Sequence, residues 1–121
     1  MKKKTTLVLG ASENPERYSY LAIKKLQAHH HPVAAIGRKK GRVDHVLIGT
    51  DPEHFEDIDT VTLYLNAANQ KAHYDYIFSL HPRRIIFNPG AENDELYELA
   101  VQKGIMAQEA CTLVLLTTGQ Y

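Results

Sequence analysis

The chain has 121 residues, 44% of them hydrophobic, which suits one domain with a real core and predicts no second. Lys plus Arg and Asp plus Glu both number 14, so there is no global electrostatic case for nucleic acid, an anionic membrane or an acidic partner, and any anion site must be local. The single cysteine, Cys111, forms no internal disulfide, the apolar stretch after Met1-Lys2-Lys3-Lys4 is too short for a secretory signal, and no run approaches the roughly 18 apolar residues of a membrane span; a soluble protein in a reducing cytoplasm is expected.

Thr5 to Leu9 is apolar and β-rich, as in a strand covered on both faces of a parallel sheet. It runs into Gly10-Ala11-Ser12-Glu13-Asn14-Pro15-Glu16-Arg17, and then a helix capped by Asn14-Pro15 or by Ser19, with Tyr18, Leu21, Ala22 and Leu26 on its packing face. Strand, small-residue turn and helix in that order make an anion site, because a ligand can approach the backbone at Gly10, Ala11 and Ser12 and meet the free N–H groups and positive dipole end of the helix. Arg17 adds a forked cation that suits phosphate oxygens, and Tyr18 opens the helix beside it. A tight turn without a ligand has the same local pattern, so other residues must decide.

His29-His30-His31-Pro32 ends the helix, and neighbouring imidazoles on a helix diverge, so a solvated terminus is expected there and no metal site. Val33 to Ile36 is the second strand, with Gly37-Arg38-Lys39-Lys40-Gly41-Arg42 at its carboxyl end. In an open α/β sheet that end meets the adenosine ribose of a dinucleotide; a diol calls for Asp or Glu, whereas three basic residues between glycines, with Arg42 just beyond, suit a phosphorylated ribose. Val43 to Ile48 reads as one short strand and Asp51 to Asp57 as at most a helical turn.

Thr60 to Leu65 is a further strand, delivering Asn66-Ala67-Ala68-Asn69 to its end, and Asn69 to Leu80 reads as a helix stopped by His81-Pro82. Arg84 to Phe87 is the next strand, followed by Asn88-Pro89-Gly90 and a helix with Leu96, Leu99, Ala100 and Lys103 on one face and Gly104 as its C-cap. Ile105 to Ala107 is a short last strand, and the tail from Cys111 to Thr118 tilts towards helix, with a stop at Gly119. The alternation predicts an α/β fold with a single doubly wound, mainly parallel, Rossmann-like sheet covered by helices on both faces. In such a fold the turns at Gly10, Asn66 and Asn88-Pro89-Gly90 emerge at one sheet edge and converge on one cleft.

Gly10-Ala11-Ser12 is not the dinucleotide fingerprint, since Ser12 and Pro15 stand where its second and third glycines belong, and no Walker pattern occurs. Cys111 lacks a base at a recognisable spacing, as do His73 and His81, so a structural thiol is expected. Ser12 lacks the Gly-x-Ser-x-Gly elbow of a nucleophile and is read as bonding a phosphate or capping the helix.

The segment G-A-S-E-N-P-E-R-Y-S-Y, a later strand ending in I-G-R-K, and N-P-G-A-E-N-D-E-L together resemble the small stand-alone CoA-binding proteins, whose Rossmann-like domain also opens the succinyl-CoA synthetase α subunit. The resemblance spans roughly residues 5 to 111. It implies coenzyme A or acyl-CoA as ligand, with the diphosphate on Gly10, Ala11, Ser12, Asn14 and Arg17 and the ribose phosphate on Lys39, assisted by Arg38. Gly37-Arg38 replaces the family's usual Asn-Pro, and His30 stands where the glycine ending the first helix is usual. The synthetase's phosphohistidine domain and ATP-grasp partner have no counterpart in this length, so binding carries over and catalysis does not. An NADP-linked oxidoreductase or dinucleotide sensor is the alternative that the basic second-strand end leaves open.

Overall fold

The structure is a computed structural model and describes residues 2–121. Its centre is β1 (Thr6–Ala11), paired in parallel with β2 (Val33–Gly37) on one side and β5 (Thr60–Leu63) on the other. Beyond β2 lie β4 (Val46–Gly49), parallel, and β3 (Gly41–Val43), antiparallel at the edge; beyond β5 lie β6 (Arg84–Phe87) and β7 (Met106–Glu109), both parallel. The order is β3-β4-β2-β1-β5-β6-β7, the doubly wound arrangement expected from the alternation of elements. The chain fills one half of the sheet, then returns to β1's other side, so the strand order reverses between β1 and β5. That reversal opens a crevice at the carboxyl ends of those two strands.

Side chains alternate across β1, and each face builds its own core. Val8 packs under α1 (Tyr18–Ala28) and α5 (Thr112–Thr117) with Ile23, Leu26, Leu115 and Leu116. Leu7 and Leu9 pack on the opposite face, where α3 (Tyr74–Ser79) and α4 (Asp94–Gln102) supply Ile77, Leu96 and Ala100. Among the described residues, no helix is long and apolar enough to cross a membrane.

Several elements differ from the sequence reading. The span read as one strand at Val43 to Ile48 is a hairpin: β3 turns back into β4 at Asp44-His45, with Asp44 at φ +54° and held by the Lys24 ammonium at 3.2 Å. The crossover after β4 is abbreviated, as the sequence reading had it: it forms no helix and covers the sheet by packing Phe55 and Ile58 against the core. The helix expected over Asn69 to Leu80 starts at Ala67 and breaks into a single turn, α2 (Ala67–Gln70), a 3₁₀ turn at Lys71–His73, and α3. The buried face of α1 is Ser19, Ala22, Ile23 and Leu26, rotated from the expected one, which leaves Tyr18 72% exposed and Leu21 41% exposed. Lys103 is exposed and lays its ammonium over the Phe78 ring at 4.9 Å. The tail forms the short helix α5, as its periodicity suggested.

The triple histidine corrects another expectation. His30 takes the left-handed conformation at φ +64°, and the bonds His30 N–H to Gln27 O (2.9 Å) and His31 N–H to Leu26 O (3.0 Å) close the helix in the manner usual for glycine. His31 is not solvated. It is buried, its Nδ1 accepts the Lys4 backbone N–H at 3.0 Å, and its ring lies 4.9 Å from that of Tyr121. Burial first, then the cations of Lys3, His29, Lys4 and Arg84, lower its pKa from 6.5. Among the described residues no cluster of His, Cys, Asp or Glu has the makings of a metal site.

Candidate functional site

At the end of β1 the ladder to β2 shifts between Leu9 and Ala11, and Gly10 sits at φ +95°. A Cβ on Gly10 would meet the Tyr64 carbonyl carbon at 2.9 Å and the Leu65 side chain at 3.2 Å. The glycine therefore lets the first turn lie against the end of β5, where Tyr64 N–H donates to Leu9 O at 2.9 Å. Gly37 has a matching role: a Cβ there would overlap the Ala11 carbonyl oxygen, so only glycine lets the end of β2 pass the end of β1. Both glycines shape the crevice through the backbones they admit.

Ser12 to Arg17 is wound by its own polar groups. Ser12 Oγ accepts Asn14 N–H at 3.1 Å, Asn14 Oδ1 accepts Glu16 N–H at 3.0 Å, and Arg17 N–H donates to Asn14 O at 3.0 Å. These are side-chain turns that offer the backbone an alternative to helix, and they hold the chain off until Tyr18. Arg17 is the N-cap residue of α1 and makes no capping side-chain bond, so neither Asn14 nor Ser19 caps the helix; Ser19 is buried within its first turn. The first turn of α1 also holds no acid. By contrast α2 is capped by Asn66, and α4 by Asn93 with Asp94 and Glu95 in its first turn. The N–H groups of Tyr18, Ser19 and Tyr20 thus lack intrahelical acceptors and retain the positive end of the helix dipole.

Two sets of cations stand in the loops that follow β1 and β2. Arg17 is exposed, as are Arg38, Lys39 and Lys40 just beyond β2, and among the described residues none of the four forms a salt bridge. The two loops are strapped together by Glu13, whose Oε1 accepts Arg42 N–H at 3.1 Å. Pro15 is exposed at the outer corner of the first loop and Tyr18 stands at its base.

The far wall comes from the ends of β5 and β6. Asn66 is exposed and accepts Asn69 N–H through Oδ1 at 2.9 Å. Pro89 and Gly90 are exposed; Gly90 has φ +93°, donates its N–H to Glu92 Oε1 at 2.9 Å, and has open space where a Cβ would stand. Asn88 is buried: Nδ2 donates to Thr62 Oγ1 (2.6 Å) and Leu63 O (2.9 Å), while Oδ1 accepts Thr112 N–H at 2.9 Å. Its amide is spent inside the protein, tying β5, β6 and α5 together below the crevice. Tyr64 leans into the same layer with its hydroxyl buried and unpartnered, and burial pushes its pKa up, so it stays protonated. Cys111 is half-buried at the start of α5.

The structure therefore gathers Gly10 to Tyr18, Gly37 to Lys39, Asn66 and Asn88 to Gly90 along one sheet edge, as the fold required. Sequence reasoning missed Glu13, Gln70 and Asn93. Asn93 ahead of Asp94-Glu95 carries an N-cap signal that points to it; Gln70, in a polar run, carries none.

A mainly parallel sheet whose strand order reverses beside an uncapped helix N-terminus defines a Rossmann-like α/β domain. The family model of the CoA binding domain matches residues 4–117, and the chain belongs to that family. A solved structure described as the crystal structure of an uncharacterized protein shares 46% identity over 100% of both chains, with a TM-score of 0.97. A hypothetical protein from Pyrococcus horikoshii OT3 is 19% identical, with 93% of this chain and 81% of that one covered and a TM-score of 0.80. The structure of cell-free ID.343 from Thermus thermophilus is 17% identical, with 98% and 91% covered and a TM-score of 0.82. The last two show the fold alone. No curated protein matches the chain.

Proposed function

We propose that the chain is a CoA or acyl-CoA binding module with no catalytic role of its own, taking the diphosphate on the first turn and the ribose phosphate on Lys39 and Arg38. The observation that carries this reading is the N-terminus of α1, with neither side-chain cap nor acid, together with cations free of ion pairs in its own loop and in the loop after β2. The donor set fits the group. Backbone N–H groups and a guanidinium suit a diphosphate, and a compact ammonium suits a monophosphate. No carboxylate stands among Gly37 to Lys40 to receive a ribose diol. Bound CoA would supply a thiol able to carry an acyl group as a thioester; the residues named here bind and orient it.

Calorimetry of CoA and dephospho-CoA against the wild type and Lys39→Ala tests the assignment. A charge-assisted contact is worth about 1.5–3 kcal/mol, one to two orders of magnitude in affinity, and less where salt screens it. The wild type should prefer CoA, and Lys39→Ala should shrink that preference while leaving dephospho-CoA affinity nearly unchanged. Equal loss for both ligands would remove Lys39 from the ribose phosphate.

A further inference from the structure

β5 and β6 are paired up to Leu63 and Phe87, and beyond that point the two chains diverge into the loops that carry Asn66 and Pro89-Gly90. One side chain rejoins them. Gln70 is fully buried although Ala67, Ala68, Asn69 and Lys71 around it are exposed. Its Nε2 donates to Leu65 O at 2.8 Å and to Ala91 O at 2.7 Å, so both N–H bonds are used, one on each loop. Its Oε1 accepts Asn93 Nδ2 at 2.9 Å, and Asn93 in turn caps α4 by accepting Leu96 N–H at 3.2 Å. A single amide thus fixes the separation of the two loops and locks it to the start of α4. Without it both carbonyls would lose their partner in the interior.

CoA joins its adenosine to its pantetheine arm through the diphosphate. With the ribose phosphate beyond β2 and the diphosphate between β1 and α1, the arm must leave on the opposite side, across the ends of β5 and β6. We infer that Gln70 is a positioning residue for the pantetheine arm, holding the Asn66 and Pro89-Gly90 loops at the spacing the arm requires. This rests on the CoA reading of the cleft. The arm is long and flexible, so a pre-set channel contributes to affinity by lowering the ordering it demands on binding.

The test compares two ligands, CoA and 3′-phosphoadenosine 5′-diphosphate, which has the same adenosine and phosphates without the arm. Gln70→Met keeps the side chain's length and removes its amide; Gln70→Asn keeps an amide too short to reach both loops and serves if the first variant does not fold. We expect a loss of about tenfold in CoA affinity, with the truncated ligand changed less than about twofold. A residue that only stabilised the fold would not separate the two ligands. Equal losses, or no loss of CoA affinity, overturn the inference. Wild-type protein that binds neither ligand overturns the reading of the cleft itself.

Discussion

The four glycines around the crevice form a series whose members differ in what a methyl group would meet. In Gly37→Ala the new Cβ overlaps the Ala11 carbonyl oxygen, a backbone atom that cannot rotate away. The end of β2 must move, and the Ala11 to Gly37 register with it. Overpacking of this kind costs about 1–3 kcal/mol, and an overlap with backbone belongs at the upper end. Gly10→Ala adds strain at φ +95° to a contact of 2.9 Å with Tyr64 backbone, which brings its loss to about 3–4 kcal/mol. Gly90→Ala has φ +93° and open space, leaving only the backbone term of about 1–2 kcal/mol. In Gly41→Ala the obstacle is the Glu13 carboxylate, with Oε1 2.5 Å away, and a flexible side chain swings aside. That movement gives up the exposed bond from Arg42 N–H, which the reduced freedom of the unfolded chain partly offsets, so the variant should lose no more than about 1 kcal/mol. Urea denaturation at constant m-value reads these differences directly, and in a heat melt each kcal/mol moves Tm by roughly 3–5 °C. Gly37→Ala should also bind CoA more weakly at temperatures where it is fully folded, because Ala11 leads into the loop proposed to take the diphosphate. A Gly37→Ala protein as stable as wild type, or less damaged than Gly41→Ala, would refute the steric reasoning.

Arg17→Ala should leave the melting temperature unchanged and weaken CoA binding about tenfold, because the side chain is exposed and supplies charge to the complex only; unchanged affinity in calorimetry would sink its role. The lowered pKa of His31 means that the unfolded chain takes up this proton before the folded one does, so stability should fall as pH drops below about 6.5 and through the folded pKa. His31→Asn keeps an acceptor for the Lys4 N–H and has nothing to titrate; denaturant melts across that range should show a flatter acid slope, and an unchanged slope would assign the titration to another group.

What the sequence made legible follows from physics local to each segment. The apolar run before Gly10, the strands at Val33 and Arg84, and the Gly104 stop announce themselves through periodicity and turn chemistry, and the alternation of strand and helix decides the sheet. The hairpin at Asp44 escaped because its turn has no glycine or Asn-Gly pair, only an aspartate forced to φ +54° and held from α1. The break after Gln70 escaped because a polar side chain gives no sign that it will be drawn inward by two carbonyls, one of them from the loop after β6. Burial of single polar residues explains the site as well. Asn88 and Gly37 stand where the turns predicted them, yet one is spent on Thr62, Leu63 and Thr112 and the other is fixed by the Ala11 carbonyl. His31 looked like one of three equivalent imidazoles until tertiary contacts with Lys4 and Tyr121 distinguished it.

The proposed function turns on which ligand the α1 terminus and the basic turn prefer. Parallel calorimetric titration of wild-type protein with CoA, NADP and NAD measures that choice in one experiment. CoA should bind most tightly, NADP should follow weakly through its ribose phosphate, and NAD, with a free diol facing Arg38 and Lys39, should bind weakest or not at all. NADP binding as tightly as CoA, or tighter, would contradict the assignment and return the cleft to a dinucleotide.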